Sequence, residues 1–70
     1  MNLSIEVERE DDGPRLAEVP QLPGVLCYGQ TREEAIVRSK ALALRVLADR
    51  LEHGEEVPQI VEVFSVVPNP

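Results

Sequence analysis

From Leu3 to Arg9 apolar and polar residues alternate strictly, with Leu3, Ile5 and Val7 on one side and Ser4, Glu6 and Glu8 on the other. A period of two is the mark of a strand with one buried face. The alternation breaks at Glu10–Pro14, EDDGP, a hairpin tip in which Gly13 is able to take a positive φ. Asp11 and Asp12 stand side by side there, but the spacing matches no calcium loop. A second strand is expected over 15–19, hairpin-paired with the first, and a third over 25–29, VLCYG. From Thr31 to about His53 the chain is rich in Ala, Leu, Arg and Glu and contains no Gly or Pro, which predicts one long helix. Gly54 is placed to end it, with Arg50 and His53 near its negative pole. After Pro58, the run IVEVFSVV predicts a last strand over 60–67, followed by a loose tail at 68–70.

The breaks between these elements have their own chemistry. Pro20 and Pro23 fix two φ angles and remove two donors, so neither fits inside a paired ladder. Each also pushes the residue before it, Val19 or Leu22, into extended geometry. With Gly24 after Pro23, the result is a rigid corner between two strands. Leu22 is the apolar side chain at its tip, either a plug under the corner or a contact for a partner. Gly29 permits a tight exit from the third strand. Thr31 and Glu34 form a capping box, in which the Thr31 hydroxyl accepts from the Glu34 N–H and the Glu34 carboxylate reaches back to the Thr31 N–H.

Assembled in order, the elements read βββαβ. They predict an α+β fold of two layers, one long helix on a four-stranded mixed sheet, as a single domain over 1–67. A crossover from the third strand through the helix would be right-handed and lay the fourth strand parallel to the first. Ala35, Leu42, Ala43 and Val46 are assigned to the sheet, whereas Val37, Ala41, Leu44, Ala48 and Leu51 lie roughly opposite. A helix of this length spans about 34 Å and a strand of six or seven residues about 20 Å, so the helix overhangs its sheet. The last strand is apolar on both sides, with Ile60 and Phe64 against Val61, Val63 and Val67.

Composition sharpens this. A chain of 70 residues has little core, and with Cys27 as its one cysteine no intrachain disulfide can reinforce it. One cysteine and one histidine also argue against a structural zinc site. Self-association is therefore expected, most simply as a dimer, through Val37, Ala41, Leu44, Ala48 and Leu51 of the helix and Val61, Val63 and Phe64 of the last strand. The formal net charge of −6 disfavours direct contact with nucleic acid or anionic lipid and favours a basic partner. No apolar run approaches the ~20 residues that cross a bilayer, and the N-terminus has no signal-peptide pattern, so a cytoplasmic protein is expected. No phosphate loop, cofactor motif or paired nucleophile and base is present. Glu6 and Glu8 lack a supporting Asp on an adjacent strand for metal-dependent hydrolysis. The expectation is a binding protein without catalytic, metal or cofactor residues.

The ordered set AEVPQLPG at 17–24, YGQT at 28–31 and EEA at 33–35, preceded by Asp11, Asp12 and Gly13, resembles the HicB-like antitoxin family. The resemblance covers about residues 3 to 55. It implies a partial ribonuclease-H-like fold without catalysis, and an antitoxin that binds and neutralises a small basic HicA-type RNA-cleaving toxin. On this chain the implied contacts are Glu6, Glu8 and Glu18, with the rim around Leu22 and Tyr28. Many such antitoxins continue into a DNA-binding segment, and since this sequence stops at Pro70 that activity is not carried over. The alternative is an orphan structural or ligand-binding homo-oligomer without a toxin.

Overall fold

The computed structural model of the protein describes residues 3–9, 11–57, 65, 67 and 68. Among these residues three strands precede one helix: β1 (Glu6–Arg9), β2 (Arg15–Glu18), β3 (Leu26–Gly29) and α1 (Arg32–Glu52). The strands make one antiparallel sheet in the order β1-β2-β3, and α1 lies across one face of it, an α+β arrangement. The expected last strand over 60–67, with Val61, Val63 and Phe64 of the expected interface, lies outside the described residues apart from Ser65 and Val67. Each observed strand has four residues, shorter than its apolar pattern suggested. Leu3 and Ile5 still turn inward and pack on the core ahead of β1.

The corner between β2 and β3 is two successive β-turns. Val19 O accepts from Leu22 N at 2.9 Å, and Leu22 O accepts from Val25 N at 3.0 Å. Val19 N donates to Val25 O at 3.0 Å and closes the mouth of the loop. Pro20 and Pro23 each hold the second position of a turn, where a fixed φ is favourable. Gly24 holds the third position of the second turn with φ 93°, a conformation that suits glycine. Leu22 is the pivot shared by both turns, and its side chain is 1% exposed. It packs with Val19, Val25, Ala43, Leu47 and Val57, so the plug is its place and it offers no surface to a partner. Gln21, on the outside of the same corner, ties down the lead-in to β1: its Nε2 donates to Ser4 Oγ at 2.9 Å.

Among the described residues of the tip between β1 and β2 the left-handed one is Asp11, with φ 37°, rather than Gly13. Aspartate tolerates this region better than most side chains, because its short carboxylate can bond locally to backbone.

The helix starts as its sequence demands, with one change of partner. Thr31 is the N-cap, and its hydroxyl accepts from Glu34 N at 3.1 Å. The Glu34 carboxylate reaches past Thr31 and accepts from Gln30 N at 3.0 Å. Arg38, one turn on, then bridges Glu34 Oε1 at 3.5 Å and the Tyr28 carbonyl at 3.1 Å, which ties the helix to the end of β3. Gly29 has a different reason from the one expected. A Cβ there would fall on the backbone nitrogen of Ala35 and within 2.9 Å of its Cα, so glycine lets the first turn of the helix lie directly on the strand. At the other end Glu55 N donates to Arg50 O at 2.8 Å and Gly54 N to Leu51 O at 3.2 Å, with Gly54 at φ 70°. This is a Schellman ending.

The buried line of α1 is Ala35, Ser39, Ala43 and Leu47, flanked by half-buried Leu42 and Val46. The assignment of Ala35 and Ala43 to the sheet holds, while Leu42 and Val46 sit at the margin and Ser39 and Leu47 occupy the centre. Small residues at the first three positions let the helix approach the sheet closely. Ser39 is tolerated there because its hydroxyl donates to the Ile36 carbonyl at 2.9 Å.

Candidate functional site

The strand register decides which side chains share a face. Partners across an antiparallel ladder point to the same side. Val7, Ala17 and Cys27 form one row, and Arg9, Arg15 and Gly29 another, both on the helix side. The opposite, open face has two rows: Glu6, Glu18 and Leu26, then Glu8, Leu16 and Tyr28. Of the residues expected to meet a partner, Glu6, Glu8, Glu18 and Tyr28 are thus brought together on one surface, and Leu22 is not. Leu16 and Leu26 join them although the sequence reading did not single them out. The signal was present, since in RLAE and LCYG the residues two apart, Leu16 with Glu18 and Leu26 with Tyr28, must share a side.

This face is neither a plain solvated surface nor a core. Leu26 is 45% and Tyr28 47% exposed, and Leu16 is half-buried beside them. Glu6 stands directly across from Glu18, and Glu8 follows two residues further along the same side of β1. Like charges directly opposite destabilise a sheet, typically by ~0.2–1 kcal/mol. Among the described residues no cation pairs with any of the three carboxylates; the contacts of basic with acidic side chains there are Arg38–Glu34 and His53–Asp49. The arrangement is an apolar patch with an uncompensated acidic edge, suited to a surface that brings guanidinium or ammonium groups around apolar contacts. Among the described residues no group of three or more His, Cys, Asp or Glu is placed to hold a metal ion.

The second surface expected to bind is the outer side of α1. Val37 is 64%, Leu44 66% and Leu51 50% exposed, Ala48 is exposed and Ala41 half-buried. Asp49 lies 3.3 Å from His53 Nδ1 at the end of the helix. A shallow hollow lined by Pro14, Tyr28, Gly29, Gln30, Glu34 and Arg38 lies beside the start of α1. Arg38 and Glu34 are already bound to each other and to backbone there, which leaves little chemistry for a ligand. No helix among the described residues is long and apolar enough to cross a membrane.

Comparison with known proteins adds one relative. Over 59 residues, 84% of this chain and 86% of the relative, the sequence is 27% identical to the UPF0150 protein Ta0767 of Thermoplasma acidophilum. No protein-family model matches the chain. No solved structure matches it either.

Proposed function

We propose that this chain is a HicB-like antitoxin module, which binds a small basic HicA-type toxin and neutralises it by covering its RNA-binding surface. The observation that carries this reading is the open sheet face, where Glu6, Glu8 and Glu18 gather around Leu16, Leu26 and Tyr28 without a cation of their own among the described residues. The net charge of −6 supports it by steering a basic protein toward the chain. The ordered motifs AEVPQLPG, YGQT and EEA support it through their resemblance to that family. The named relative brings no activity with it.

The test is whether a basic protein of roughly 60–80 residues, one small domain in size, is encoded beside this chain and is captured by it. The purified chain is expected to bind it and to protect RNA from it. The Glu6→Gln, Glu8→Gln and Glu18→Gln triple variant is expected to weaken capture about tenfold or more, with a shallower dependence on salt. Binding unaffected by the triple variant would remove the sheet face from the proposal, and no protection of RNA would remove the antitoxin reading. A second reading, an orphan homo-oligomer without a toxin, is favoured by one observation: the exposed Val37, Leu44 and Leu51 on α1.

A further inference from the structure

The outer side of α1 has a pattern that selects its own partner. Val37, Ala41, Leu44, Ala48 and Leu51 are separated by gaps of four, three, four and three residues. This is the 3.5-residue repeat of a two-helix seam, with alanine and leucine taking alternate positions after Val37. The seam lies away from Ala35, Ser39, Ala43 and Leu47, which face the core. Two copies of such a helix can pair in either sense, and the residue sizes distinguish them. In a parallel pair each residue meets its own kind, alanine opposite alanine and leucine opposite leucine. In an antiparallel pair Leu44 meets Ala48 of the partner subunit, and Ala41 meets Leu51 of the partner subunit. Each central layer then holds one large and one small side chain, the packing that fills space without voids.

The charges beside the seam make the same choice. Along one flank of α1 run Arg38 and Arg45, then Asp49 and Glu52, a basic half followed by an acidic half. An antiparallel pair brings this flank against its own reversed copy, with Glu52 of the partner subunit near the Arg38 guanidinium, which also holds Glu34 and the Tyr28 carbonyl. Arg45 approaches its own symmetry mate, a like-charge contact that an Asp49 one turn away on each helix offsets. A parallel pair sets Lys40 beside Arg45 of the partner subunit. Opposed helix dipoles add to the antiparallel preference.

We infer that α1 is the contact through which two copies of this chain pair, antiparallel, about a two-fold axis between Leu44 and Ala48. The pairing covers the apolar stripe that the single chain leaves exposed. It also stacks the layers as sheet, helix, helix, sheet, so both open sheet faces point outward. This inference is independent of the antitoxin reading. If that reading is right as well, a dimer holds one toxin at each end, a two-to-two complex.

Sedimentation equilibrium at micromolar concentration is expected to show a dimer. Leu44→Glu is expected to weaken it by about a hundredfold, because the symmetry applies the change twice. Circular dichroism should show the variant helical. In a Cys27→Ala background, a mixture of the Leu44→Cys and Ala48→Cys variants is expected to oxidise to the mixed disulfide faster than either variant to its own. A monomeric wild type, or a dimer that Leu44→Glu leaves intact, would overturn the pairing. Self-disulfides outpacing the mixed one would overturn its direction. Should Leu44→Glu fail to fold, the disulfide comparison still decides.

Discussion

At the scale of single residues, this fold depends on a few positions where no other side chain serves. Gly29 is the clearest. Its backbone lies so close to Ala35 that a methyl group would have to push the helix off the strand, since what it meets is backbone. Gly29→Ala is expected to cost about 2 kcal/mol or more, read as a lower midpoint in urea unfolding. Gly24 differs in kind, because a Cβ there meets nothing and the constraint is φ 93° alone. Leu22 shows what a residue's surroundings add to its chemistry. An apolar side chain on a proline-braced corner can serve as a plug or as a contact, and the two turns that pivot on it point it inward.

At the scale of elements, α1 is legible from end to end. Its cap, its Schellman ending and its length all follow from local chemistry that the sequence displays. Less legible is which of its stripes turns inward. The sequence carries two apolar stripes, and the larger side chains favour the wrong weighting, toward Leu42 and Val46. The sheet instead takes the line with Ala35, Ser39 and Ala43, because small residues allow the closest approach. This makes a sharp contrast testable. Ser39→Ala is expected to be neutral within about 0.5 kcal/mol, because it removes the hydroxyl together with a bond made only to the preceding turn. Leu47→Ala, eight residues along the same line, is expected to cost ~2–4 kcal/mol by leaving a cavity. Thermal or urea unfolding of the two variants side by side checks both. The strands were legible as alternation but came out short, since alternation records which face is buried and not how far the ladder of hydrogen bonds runs.

At the scale of the whole molecule, the two faces of the sandwich are specialised differently. One side of the sheet is closed by α1, and the other collects three carboxylates around three apolar side chains. A protein selected for its own stability gains nothing from Glu6 opposite Glu18. Glu18→Gln is therefore expected to stabilise the free chain by ~0.2–1 kcal/mol at low salt, with the gain shrinking as salt rises. The same variant is expected to bind a basic partner less tightly. Opposite signs in unfolding and in binding would mark the face as built for an interaction. A loss in both would assign Glu18 a structural role.

What the sequence determined by itself was most of what is local: a period of two, then a period of 3.6, the prolines and Gly24 at the corner, the Thr31 cap and the Gly54 stop. Such features act within a few residues of the chain, so their signal is complete in the order of the letters. Only the tertiary structure decided which side of each element faces inward, that Glu6, Glu8, Leu16, Glu18, Leu26 and Tyr28 share one open surface, and that Gly29 is glycine because a helix rests on it. Those facts belong to pairs of segments in contact. Strand register and the closeness of helix to sheet settle them, and both are products of packing that no single segment encodes.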